Sequence, residues 1–177
     1  MSAQVVTTAS FTPAPQDSLT PRGVRNYSSV YLRLALAAGF LAALTDRFGL
    51  WGPAGTTNVA WGNFEKFTAY TAQLNPWAPA ALAPILAWTA TIVEGVLAVL
   101  LLLGLWTRWT GIASGVLLLL FALGMTAGTG VKSALNASVV TASAAAFALA
   151  ISDSHLWSLD ALRGRGDRRK IVRLAAH

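Results

Sequence analysis

Four long apolar stretches follow one another in this chain, at about Val30–Phe48, Leu82–Leu105, Trp109–Ala127 and Ser133–Ile151. Each is close to the ~20 residues that a helix needs to cross a hydrocarbon layer ~30 Å thick. None alternates apolar and polar residues as a half-buried strand would. In lipid, only helices and closed barrels satisfy their own backbone groups, so these stretches predict helices. A soluble four-helix bundle is the competing reading. It fails because the second and third stretches have no polar face wide enough to meet water. The fold class expected is therefore all-α, an integral membrane four-helix bundle.

Composition agrees. Charged residues make up 11% of the sequence and hydrophobic residues 55%, whereas an ordinary soluble domain carries about 25% charge. With no cysteine present, disulfides, thiolate metal sites and dithiol redox chemistry are excluded. The two histidines, His155 and His177, lie outside the apolar stretches, which argues against a haem held by two of them inside a bundle. No metal site is expected.

Three regions follow from the pattern. Residues 1–28 are rich in Ser, Thr, Pro and Gln and read as a disordered tail. They lack the basic start and apolar stretch of a cleaved signal. Residues 29–152 hold the spans, and 153–177 form a basic tail with six cations between Arg163 and Arg173. That cluster is read as a topology signal that meets anionic lipid rather than as a nucleic-acid site, because no recognition-helix pattern accompanies it. With the N-terminus inside, Arg22, Arg25, Arg33, Arg108 and the six tail residues fall on the inner side. Arg47, Lys66 and Lys132 fall outside, a bias of ten against three. The expected location is the bacterial cytoplasmic membrane, with both termini cytoplasmic.

The long connection, residues 49–81, opens on Gly and Pro, which break the first helix. Within it, Phe64, Phe67, Thr71 and Leu74 share one helical face behind a candidate cap, Asn63. A short interfacial helix over the outer mouth of the bundle is expected there. Two pairs of glycines spaced four apart, Gly111 with Gly115 and Gly124 with Gly128, predict close helix contacts and no chemistry.

Glu94 is the only charge between Lys66 and Arg108. A central charge in a span costs roughly 2.5–3.5 kcal/mol on insertion scales, so such a residue is paired, protonated or facing a cavity. Helical rise puts Glu94 about 18 Å from Leu82 and Arg33 about 22 Å from Phe48. On that reckoning Arg33 is the expected partner, and Arg47 and Lys132 lie too close to the outer surface. The pair either fixes helix register or lines a pocket that binds or protonates a ligand. Asp46 and Arg47 either pair with each other at headgroup level or rim a ligand-binding site that opens outward, with Glu65 and Lys66 above.

The stretches "YLRLALAAGFLAALTDRFGLWG", "WGNFEKFTAYTAQLNP" and "TIVEGVLAVLLLLGLWTRW" resemble the DoxX family of small bacterial four-helix membrane proteins. In that family an Arg opens the first helix, here Arg33. A Glu precedes a Gly- and Leu-rich run ending in Gly-Leu-x-Thr-Arg, here Glu94 to Arg108. The likeness covers about residues 30–150. The family takes its name from the membrane subunit of a thiosulfate:quinone oxidoreductase. The resemblance therefore implies a quinone-linked role, with a partner redox protein carrying the catalysis. On that expectation Glu94 and Arg33 meet the head group of a quinone or another lipophilic ligand, or relay its protons. The alternative is a non-catalytic module that binds lipid or assembles a partner, with Glu94 as an internal staple. A transporter is a weaker third reading, because four helices leave little room for alternating access.

Overall fold

The structure, a computed structural model, describes residues 22–152 and 158–160. Its elements are α1 (Arg22–Arg47), α2 (Phe64–Leu74), a 3-10 turn at Ala80–Leu82, α3 (Ala83–Leu103), α4 (Thr107–Thr129), α5 (Val131–Asn136) and α6 (Val139–Ala150). No strand occurs among the described residues. Residues 22–28, assigned to the tail from sequence, are helical, so α1 starts earlier than its apolar stretch. Residues 1–21 and the basic tail from 161 onward lie outside the described residues.

Among the described residues, three helices are long and apolar enough to cross a membrane: Asn26–Arg47, Ala80–Leu103 and Thr107–Thr129. The fourth apolar stretch is not one helix, as expected, but two. It breaks at Ala137–Ser138, where Ser138 takes a left-handed conformation at φ 57°. Asn136 and Ser138 compete for backbone hydrogen bonds and so favour such a turn. The break turns α5 against the upper half of α4, where Ala134 joins Ala122 and Met125, with Leu74 of α2 packed on them. The remaining helix, α6, has 12 residues and spans only about 18 Å.

The main core is shared by α1 (Leu36, Ala37, Phe40), α3 (Leu97, Ala98, Leu101), α4 (Leu118) and α6 (Ala146, Leu149). Outward-facing Ile92, Val96, Val99, Leu119, Leu120 and Leu123 are all exposed, which suits a lipid surround and not water. Both glycine pairs serve packing. A Cβ on Gly111 would sit 3.0 Å from Ala146 O and Ala150 N, and one on Gly115 would sit 2.8 Å from the Phe147 ring, so this pair seats α6 on α4. The Ser143 hydroxyl crosses the same interface to Gly115 O at 2.8 Å. A Cβ on Gly128 would strike Gln73 O and Leu74, so the second pair seats the end of α2 on α4. α2 is thus held against the bundle. Asn63 caps it, its Oδ1 accepting from Lys66 N–H at 2.9 Å, and Phe67 and Thr71 are buried.

The α3–α4 turn is clamped from both sides. Gly104 ends α3 in a left-handed conformation, φ 62°, with Arg33 and Ser158 packed where a side chain would lie. Arg33 donates from Nε to Leu101 O at 3.0 Å and from Nη2 to Leu102 O at 3.3 Å. A cation there meets the negative end of the α3 dipole. Asp160 does the converse for α4. Its carboxylate accepts from Trp106 N–H and Thr107 N–H, both at 2.9 Å, and from the Thr107 hydroxyl at 3.1 Å. Arg33 and Asp160 also interact electrostatically. Asp160→Ala should cost about 1 kcal/mol, the usual value of an N-cap; thermal unfolding in detergent reads it, and an unchanged midpoint would show that this cap is dispensable.

Candidate functional site

Glu94 is 1% exposed and Arg47 2% exposed, and they form an ion pair with Arg47 Nη2 to Glu94 Oε1 at 2.6 Å. Arg47 Nη1 donates to the Thr91 hydroxyl at 3.0 Å, and that hydroxyl donates to Ala87 O at 2.8 Å. Thr91 lies one turn before Glu94 on the same face of α3, so α3 offers two acceptors to one guanidinium. The connection closes over the group. Arg47 Cζ lies 3.8 Å from the centre of the Phe67 ring and 5.5 Å from that of Trp61, within cation–π range.

The expected Glu94–Arg33 pair is therefore not formed. Arg33 works at the opposite end, on the carbonyls of α3, and the partner of Glu94 is the arginine that the depth reckoning set aside. That reckoning took the ends of α1 and α3 as level. They are not: Thr91, eight residues into α3, faces Arg47 at the last residue of α1. The first turns of α3 thus rise about 12 Å beyond α1, and the connection with α2 fills that height. Arg47 ends a helix without reaching the surface.

Asp46 does not pair with Arg47 or rim an open site. It is 6% exposed, and its Oδ2 accepts from Ala60 N–H at 3.1 Å and Trp61 N–H at 2.9 Å. It holds the loop whose Trp61 ring covers Arg47. Its Oδ1, Arg47 Nε and the hydroxyl of Ser114 are buried without a hydrogen-bond partner. Glu65 and Lys66 are exposed in the first turn of α2, outside the buried cluster. Lys132 is exposed on α5.

Sequence reasoning passed over Thr91 and Asp160. A hydroxyl three residues before Glu94 was a readable signal for Thr91. Nothing local marks Asp160, whose partners Trp106 and Thr107 lie 54 and 53 positions away. No group of three or more His, Asp or Glu side chains able to hold a metal occurs among the described residues.

A buried ion pair between the first two spans, covered by an aromatic helix, is thus the central polar feature. A family model described as methylamine utilisation protein MauE matches residues 25–138, more than half of the chain. The chain belongs to the MauE family. The matched stretch runs through α1 and the connection, through α3 and α4, and up to the break at Ser138, so it contains the whole Arg47–Glu94 site. No curated protein and no solved structure matches the chain. With its apolar helices, this MauE-family chain is a multi-pass membrane protein.

Proposed function

We propose that this protein is the membrane component of a redox system for amine utilisation, and that its Arg47–Glu94 site meets the head group of a quinone. The observation that supports this most directly is the ion pair itself. Two charges taken out of water are not needed for stability, since apolar residues of similar volume often serve as well. Ionisable groups kept inside spans line functional sites by default. Glu94 is an acceptor and Arg47 a donor, which is what the hydroxyl and carbonyl forms of a quinone head require in turn. Reduction of a quinone also takes up protons, which a carboxylate at this depth can pass on. On this reading the electron chemistry belongs to a partner redox protein, and this chain supplies the ligand-binding groups.

The reading has a direct test. Small molecules extracted from the purified protein should contain a quinone, and Glu94→Gln should lose it. The same variant should also slow growth of the host on methylamine. A wild-type protein free of quinone, or full growth with Glu94→Gln, refutes this role.

One observation favours a second reading, a non-catalytic module that assembles a partner. The pair is closed, with Thr91 below and Phe67 above, as a staple would be. A Glu94 and Arg47 double variant that folds and still supports growth on methylamine decides for the staple.

We infer further that the connection end faces outward and the α3–α4 turn faces the cytoplasm, following the bias of positive charge. A reporter fused after Gly166 should score cytoplasmic; a periplasmic signal overturns this orientation.

A further inference from the structure

The break between α5 and α6 lies deep in the bundle. Ser143 on α6 donates to Gly115 O on α4, and the Cβ position of Gly111 faces Ala146 O and Ala150 N. The two helices are therefore antiparallel in one consistent register. Ser138 precedes Ser143 by five residues, which puts it about 7.5 Å further along, level with Leu120. The midpoint of α4, Thr107–Thr129, is Leu118. The break thus stands within about 3 Å of the middle of a membrane span.

Its groups are polar and uncovered. Asn136, Ser138 and Thr141 are exposed, and their side chains make no hydrogen bond among the described residues. Ser138 does not cap α6 with its side chain, and the first bond of that helix runs from Ala142 N–H to Ser138 O at 2.9 Å. The N–H groups of Val139, Val140 and Thr141 come before that bond and have no carbonyl to meet within the helix. Irregular backbone at this depth is not left facing lipid, because hydrocarbon satisfies none of these groups. Beyond the break, Thr141, Ala144 and Ala148 share the outward face of α6, opposite the buried Ser143, Ala146 and Ala150. They are small enough for another backbone to come close.

We propose that this face of α6 is where two copies of the chain pair about a two-fold axis, with the break at Asn136 and Ser138 inside the interface. Self-complementarity decides the occupant. An Asn amide both donates and accepts, as do the Ser and Thr hydroxyls, so the same groups of a second copy supply what the first lacks. A two-fold axis brings like patch to like patch. The outward faces of α3 and α4 offer no such group near this depth, where Ile92, Val96, Leu119, Leu120 and Leu123 are exposed. The pairing is separate from the Arg47–Glu94 site and does not depend on a quinone.

The test uses the full chain, which contains no cysteine, so a single introduced cysteine reports proximity without background. In native membranes treated with a mild oxidant, Ala144→Cys should form a disulfide-linked dimer, and Val96→Cys on the outward face of α3 should not. Photobleaching of single labelled particles in liposomes should show the wild type passing from monomer to dimer as its density in the bilayer rises. Asn136→Leu should lower the association constant about sevenfold, the effect of two symmetry-related interhelical hydrogen bonds. It should leave thermal unfolding in detergent unchanged, because Asn136 has no side-chain partner within the described chain. Monomers at every density overturn the proposal. So does a dimer that cross-links through Val96→Cys and not through Ala144→Cys, or one that Asn136→Leu leaves unweakened. Rapid labelling of Ser138→Cys by a water-soluble maleimide at densities where the dimer should form would show that water, and not a second copy, meets the break, and overturns it as well.

Discussion

Glu94→Gln and Arg47→Gln should each destabilise the bundle by about 3–5 kcal/mol, and the double variant by far less than their sum. Each single change leaves an uncompensated partner in a site that is 1–2% exposed. Removing both leaves two neutral amides that bond each other or Thr91. Unfolding of the four proteins in one detergent measures the coupling. The corresponding cycle of Glu94 with Arg33 should be additive, because Arg33 bonds the Leu101 and Leu102 carbonyls at the other end of α3. Coupling of Glu94 to Arg33 rather than Arg47 would contradict the observed arrangement. The experiment also bears on function, since a double variant that folds separates the stability of the pair from its service to a ligand.

Gly111→Leu should cost about 3 kcal/mol or more, at the upper end of the range for overpacking. The Cβ alone would lie 3.0 Å from Ala146 O and Ala150 N, which are backbone atoms and cannot rotate away. The remaining carbons of leucine would force α6 off α4 and break the Ser143 bond to Gly115 O. Gly39 is the control. It is exposed in the middle of α1 with nothing within 4 Å of its Cβ position, so Gly39→Ala should be neutral or gain up to about 1 kcal/mol in helix propensity. Equal losses at the two positions would show that loss of any glycine, and not contact with α6, is what matters.

The two experiments probe different supports of one assembly. Glycine at Gly111 and Gly115 joins α4 to α6 through close backbone approach. The ion pair joins α1 to α3 and carries the cap, because Phe67 and Trp61 rest on Arg47 and Asp46 holds the backbone at Ala60 and Trp61. Loss of the pair should therefore loosen α2 before it separates the long helices. Hydrogen exchange at Phe67 and Thr71 is the place to see this.

What the sequence determined by itself rests on local pattern. The three long spans follow from runs of apolar residues, because lipid penalises any unsatisfied backbone whatever the rest of the chain does. The α2 helix, its Asn63 cap and its buried Phe67 follow from spacing within eleven residues. The glycine pairs announced close packing, though not which helix would fill each one. Tertiary structure decided the rest. Glu94 takes Arg47 because α3 overshoots α1 and the connection covers the difference, and no count along either helix reveals an offset between two helix ends. Arg33 and Asp160 meet at the α3–α4 turn although they lie 127 positions apart, a proximity set by the bundle and by the turn at Gly104. The break at Ser138 is of the same kind: the apolar run continues through it, but α5 gains its contacts with Ala122, Met125 and Leu74 only by leaving the axis of α6. Burial in lipid is a sum over neighbours in sequence, whereas the partner of a buried charge depends on how whole helices are offset against one another.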